Sequence, residues 1–291
     1  MSTLKFTQPS SKPQVAILFL ALSVGWVGVL SSVQPVSAQT TAIGARAPES
    51  AIRFTAVISS MIYLPFIGRN LACPVSGGAY NAVYVIGPAQ PEDPPAELHP
   101  DINLEIRGYT PTVGTLGLVD IDGPSDVMAP QLATLFTDNR VPVVKQVYQV
   151  YDWDWENDVR GNPITRWVTL AGFGVATGEP ICTPSSGYDI GRSATGYEVM
   201  VLYASTNRIT LKYTRDDSVA VGYTIHIENI NVDPGLLASY QAMNNQGRVY
   251  LPALFAGQHI GRAISTQLQV SIRDSGQFMD PRSHKDWWQG K

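Results

Sequence analysis

Apolar and polar positions alternate with period two in three C-terminal segments. In residues 208–213, Ile209, Leu211 and Tyr213 share one face. In residues 223–230, Tyr223, Ile225 and Ile227 share one face, and Thr224, His226 and Glu228 share the other. In residues 267–273, Leu268, Val270 and Ile272 alternate with Gln267, Gln269, Ser271 and Arg273. Period two is the side-chain repeat of a strand, and strict alternation predicts half-buried strands. Upstream, residues 80–86, 102–109, 115–120, 143–151 and 165–175 are β-branched or aromatic runs bounded by Gly, Pro and Asp, and also predict strands. Two helices are expected. Residues 129–136 form a short one, with Pro130 in its first turn. Residues 234–243 form the other, with Asp233 before Pro234 and with Leu236, Leu237 and Tyr240 at helical spacing. The expected fold class is mainly β with few short helices.

Composition agrees and excludes two function classes. The chain has 25 Gly and 21 Pro in 291 residues, which favours turns between short strands. It is too apolar, at 44% hydrophobic, to be disordered. Its net charge of −4 argues against nucleic-acid binding by phosphate neutralisation.

Residues 1–38 read as a secretory signal. Lys5 and Lys12 form a basic start, residues 15–30 an apolar stretch, and Val36-Ser37-Ala38 a small-residue cleavage site before Gln39. An uncleaved anchor is the alternative. The apolar run of about 16 residues, broken by Ser23, Gly25 and Gly28, is short for a span. Cleavage leaves 18 basic against 24 acidic residues, a charge of −6, and no later transmembrane span. The expected location is secreted or envelope-associated. In an exported chain, Cys73 and Cys182 are most simply one disulfide. Residues 39–51 read as a flexible mature N-terminus and 88–100 as a Pro-rich surface excursion. Residues 52–182 read as a β-rich N-terminal domain, 183–282 as a second β domain, and 283–291 as a tail.

Three pieces of the C-terminal third carry a resemblance. Ser185-Ser186-Gly187-Tyr188-Asp189-Ile190 comes first. Gly257-Gln258-His259-Ile260-Gly261 follows, and then the segment from Gln267 to Pro281 containing Ile272-Arg273-Asp274-Ser275-Gly276. In order and spacing they resemble the lysostaphin-like, or LytM-type, zinc endopeptidases that cut peptidoglycan cross-links. The resemblance implies a two-sheet module of the duplicated hybrid motif type. It places Ser185 and Gln269 at two histidine ligand positions, Asp189 at the aspartate ligand and Gln267 at the catalytic histidine. One of the three zinc ligands thus remains. An amide oxygen or a serine hydroxyl is a poor zinc ligand. The resemblance therefore implies a degenerate, non-catalytic module without cofactor, binding a wall glycopeptide or an envelope protein. Ser185, Asp189, His226, Gln267 and Gln269 would line its cleft.

Other readings remain open. Asp189 and His226 are candidates for a rearranged zinc site in a peptidoglycan hydrolase, although a strand-face His is more often a cleft-edge residue. Residues 148–161 alternate aromatic and acidic positions. Tyr151, Trp153 and Trp155 are candidates for stacking on sugar rings, as in a carbohydrate-binding adhesin. Asp152, Asp154, Glu156 and Asp158 are candidates for calcium, with oxygen ligands at alternate positions. A strand end with inward aromatics and solvated acids is the plainer alternative, and a structural surface protein the plainer function. No serine stands in a nucleophile elbow, and no phosphate-binding glycine motif occurs.

Overall fold

The computed structural model describes residues 73–75, 78, 80–87, 94–191 and 196–289. The expected signal segment at 1–38 and the N-terminus at 39–51 lie outside the described residues. The described part is mainly β. Its strands are β1 (Asn81–Tyr84), β2 (Tyr109–Thr112), β3 (Val144–Asp154), β4 (Val159–Pro163), β5 (Leu170–Gly174), β6 (Pro180–Cys182) and β7 (Tyr197–Ala204). They continue with β8 (Arg208–Lys212), β9 (Tyr223–Glu228), β10 (Ile230–Val232), β11 (Tyr250–Phe255), β12 (His259–Ala263), β13 (Gln267–Asp274) and β14 (Gln277–Met279). Three helices join them: α1 (Leu104–Arg107), α2 (Pro234–Asn245) and α3 (His284–Trp287). No helix among the described residues is long and apolar enough to cross a membrane.

The main sheet is antiparallel and runs β1-β11-β7-β8-β9-β13-β5-β3-β2, with β14 on β13 and β4 on β3. A small sheet, β10-β12-β6, stands apart from it. The boundary expected at residues 182/183 is corrected by this order. β13 pairs on one side with β9 and on the other with β5, from before Cys182. Strands from both halves share one sheet, and the described residues fall in one compact unit.

The three alternating segments are strands β8, β9 and β13, but they are not half-buried. All six residues of β9 are buried, and so are six of the eight in β13. On one face, Leu268, Val270 and Ile272 meet Phe173, Ile225 and Ile227 in register. Over this face lie Trp288, 5.1 Å from Phe173, and Trp287, 5.7 Å from Tyr223. Their indole N–H groups donate to Pro281 O and Asp280 O, which anchors the C-terminal tail in the core. On the other face Gln267, Gln269, Ser271 and Arg273 are covered by protein as well.

Three expected elements differ. Residues 102–109 are not a strand: the Asn103 side chain accepts the Glu105 N–H and starts α1, and Gly108 at φ 68° ends it. Residues 115–120 form a loop, tied to the C-terminal segment by a bridge from Val119 to Ser283 and by Arg282 donating to Thr115 O. The expected helix at 129–136 is a 3-10 turn over Leu132–Leu135. By contrast, α2 begins as read, with the Asp233 carboxylate accepting from Gly235 N and Leu236 N.

Gly172 shows how the sheet's second face is built. The Gln267 side chain crosses over this glycine, so that Tyr148 on β3 donates to Gln267 Oε1 at 3.0 Å. A Cβ at position 172 would occupy the space of that amide. Gly172→Ala is expected to cost about 1–3 kcal/mol in denaturant unfolding, through overpacking and a broken buried hydrogen bond. Adding Gln267→Ala should recover part of the loss, and strictly additive losses would contradict the account.

Cys73 and Cys182 form a disulfide spanning 109 residues. It ties the start of the described chain to β6, whose Cys182 faces His259 of β12. Replacing both cysteines by serine should lower stability by about 4–5 kcal/mol on the chain-entropy account. Thermal unfolding with and without the bridge measures this.

Candidate functional site

The polar face of β13, β9 and β8 is roofed by residues 101–109 and by the β13–β14 hairpin. Thr210 Oγ1 donates to Ile102 O at 2.7 Å, and Tyr109 donates to Gln269 Oε1 at 2.8 Å. Ser271 Oγ donates to Thr169 O at 2.6 Å. Arg208 pairs with buried Glu228 at 3.0 Å and also with Glu105 of α1. Buried polar groups persist only when partnered, and these mostly are.

At one end of this layer lies a charged cluster. Arg107 and Arg273, each 4% exposed, both bind Asp101 Oδ1, at 2.6 and 2.7 Å. Burial opposes ionisation of Asp101, but Arg273 and Arg107 together hold its carboxyl below the usual value. Phe278 on β14 packs against both guanidinium groups, 4.4 Å from Arg273 and 5.7 Å from Arg107.

The cluster floors a pocket of about 480 Å³. Trp155, after β3, and Trp167, before β5, both line it. Trp167 is fixed by donating to Phe278 O at 2.7 Å, and Arg166 lies over its ring at 4.2 Å. Trp155 is 55% exposed and meets His99 edge-on at 5.8 Å. Asp152 stands at the mouth and reaches Arg107 at 3.4 Å. The donors of Arg107 and Arg273 are engaged by Asp101, Tyr151 O and Gly276 O, so the pocket combines indole surfaces, an apolar floor and one exposed guanidinium, Arg166. A larger depression of about 1040 Å³ runs between residues 137–145 and 174–180. Its cations are already engaged: Arg140 by Asp138 and Glu179, Lys145 by Thr266 O, and Arg262 by Gly178 O.

The residues expected to line one cleft do not meet. Ser185 bridges to Gln131, and its hydroxyl donates to Thr134. Gln131 binds Asp286 O and Gln289 N, which puts Ser185 on the tryptophan side of the sheet. Asp189 is exposed there and accepts from Gly191 N. Gln267, Gln269 and His226 point to the opposite face, where tyrosines engage both glutamines. No cleft contains all five.

His226 is fully buried, not at a cleft edge. Thr210 spends its hydroxyl hydrogen on Ile102 O, so the His226 Nδ1–H donates to Thr210 Oγ1 at 3.1 Å. This tautomer is assigned from the hydrogen-bond network. It leaves Nε2 as a buried lone pair without a partner. His226 is enclosed beside Thr210 and Phe278, while Asp189 is exposed in a turn with Gly191. Among the described residues no three His, Cys, Asp or Glu side chains group to hold a metal.

Of the acidic residues at 152–158, Asp154 and Asp158 accept hydrogen bonds within the β3–β4 turn. Asp154 accepts from Glu156 N, Asn157 N and Asn157 Nδ2, and Asp158 accepts from Trp153 Nε1. The aromatic trio also separates. Arg160 covers the Tyr151 ring at 5.3 Å, and Trp153 faces a second depression of about 420 Å³. Only Trp155 reaches the Arg107–Arg273 pocket. The residues that make this pocket, Asp101, Arg107, Arg166, Trp167, Arg273 and Phe278, were not among the expected site residues. The available signal was Arg273, a charge at the end of an alternating strand. The alternation assigns it to solvent, and the structure buries it.

No protein family, curated protein or solved structure matches the chain.

His226 generates a prediction. Burial, and next the Arg273 charge, lower its pKa to about 3. In the unfolded chain its pKa is about 6.5. Between these values the unfolded state binds the extra proton, so stability is full above pH 6.5 and falls as pH drops toward 3. Glu228, raised by burial despite Arg208, acts in the opposite sense, so the comparison must be with a variant. His226→Leu should flatten the stability slope between about pH 6.5 and 5, where wild type should lose up to ~1.4 kcal/mol per unit. Equal slopes in urea titrations of the two proteins would refute this.

Proposed function

We propose that the chain is an exported, non-catalytic binding protein of the cell envelope or extracellular space, and that it binds a carbohydrate. The binding site is the pocket between Trp155 and Trp167. One observation carries the reading: two indoles flank a concave site whose floor, Phe278 between Arg107 and Arg273, is already locked. Sugar rings present apolar C–H faces with hydroxyls at their edges. Indole surfaces beside the exposed Arg166 donor suit both parts. A leader-like first segment and the Cys73–Cys182 disulfide support placement outside the cytoplasm. The reading does not draw on the LytM-type resemblance, because its cleft residues stand on opposite faces of the sheet.

Trp155 is the informative position because it is half exposed and removable without opening the core. On a glycan array, the disulfide-bonded mature protein should bind a defined set of saccharides. Trp155→Ala should weaken that binding about tenfold or more, roughly 1.4 kcal/mol, with little change in melting temperature. Absence of glycan binding, or equal affinity in the variant, would overturn the proposal.

A further inference from the structure

We infer that this pocket takes an acidic saccharide, one whose carboxylate or sulfate is held by the exposed Arg166 guanidinium beside the indoles. The inference rests on the carbohydrate reading above and adds the charge of the ligand. Three arginines line the pocket, Arg107, Arg166 and Arg273, against two carboxylates, Asp101 and Asp152. Asp101 is one charge shared by two buried guanidinium groups. Asp152 does little to offset the excess: it is 71% exposed and reaches Arg107 only at 3.4 Å. Solvent screens such a contact to near nothing.

Arg166 is different again. Its guanidinium carbon lies over the Trp167 ring, 4.2 Å from the centroid, and it has no carboxylate partner among the described residues. An exposed guanidinium held against a ring keeps its N–H edge available, in the planar fork that matches an oxyanion. The positive excess therefore sits in a concave, partly apolar site, where an anion is less screened than on open surface. A neutral sugar would leave this excess unanswered. A uronate or sulfated sugar would place its acidic group at Arg166, with its ring against Trp155.

The test uses the disulfide-bonded mature protein and three probes in calorimetric titration: an oligogalacturonide, its carboxyl-reduced neutral counterpart, and a sulfated oligosaccharide. Binding of an acidic probe is expected, at least tenfold tighter than the neutral one and weakening as salt rises. The two acidic probes distinguish carboxylate from sulfate recognition. Arg166→Gln should remove most of the preference, at least a fivefold loss, while Arg166→Lys should keep part of it. Arg166 is exposed, so neither change threatens folding. Arg262→Gln, in the other depression, should leave affinity unchanged. Equal binding of neutral and acidic probes, still dependent on Trp155, would overturn the acidic preference and leave the carbohydrate reading standing. Binding of none of the three would overturn the acidic preference, and the glycan array then decides the carbohydrate reading.

Discussion

One carboxylate holds two buried guanidinium groups in place, and the polar half of the fold is arranged around it. Asp101 accepts from Arg107 of α1 and from Arg273 of β13, which brings the covering segment down onto the sheet. Neither arginine is stable inside the protein alone. Breaking a buried pair by removing one partner typically costs about 3–5 kcal/mol. Here the loss of Asp101 would strand two charges at once. The rest of the roof is consistent with this anchor: Thr210 fixes Ile102, Tyr109 fixes Gln269, and Arg208 reaches Glu105.

The main sheet is therefore buried twice, by two kinds of chemistry. One face is closed by apolar packing under Trp287 and Trp288, where the energy follows from area and volume. The other is closed by matching each donor to an acceptor, where the penalty falls on any group left over. His226 Nε2 is such a group, and Lys212 is another strained case. Burial lowers the Lys212 ammonium pKa to about 8, although backbone carbonyls of Val221 and Gly222 receive it. A polar layer of this kind adds less net stability than an apolar one. It does fix side-chain positions, and that is what a binding site on its edge requires.

Much of this was legible and much was not, for definable reasons. Strands β8, β9 and β13 follow from alternation, and α2 follows from Asp233-Pro234. The disulfide follows from two cysteines in a chain with a leader-like start. Alternation says that a strand has two unlike faces. It does not say that the polar one meets water, so His226, Gln267 and Gln269 were placed at an open cleft, whereas His226 and Gln269 are interior and Gln267 is half-buried. Residues 102–109 carry strand-forming types, but the cap at Asn103 and the positive φ of Gly108 impose a helical turn. Such local hydrogen bonds are invisible to composition. The shared sheet across residue 182 is a non-local pairing, β5 against β13, with no local signature at all. For the same reason the pocket could not be read: its six residues come from three separated segments, 101–107, 166–167 and the β13–β14 hairpin.

The geometry of that pocket reduces finally to a two-residue turn. β13 and β14 are joined by Ser275 and Gly276, at φ 45° and 84°, both in the left-handed region. This is the form of a tight hairpin whose twist matches its strands. It sets Arg273 opposite Phe278 in register. It also aims the Gly276 carbonyl at Arg273, which donates to it from Nε at 2.9 Å and Nη2 at 2.5 Å. With one edge of the guanidinium held by the turn and Nη1 held by Asp101, the ring of Phe278 is trapped against a cation that cannot rotate. The site's charge is thus positioned by backbone that any sequence with the right turn residues would supply. In the proposed site, selectivity would rest with the side chains on the rim, Trp155, Arg166 and Trp167.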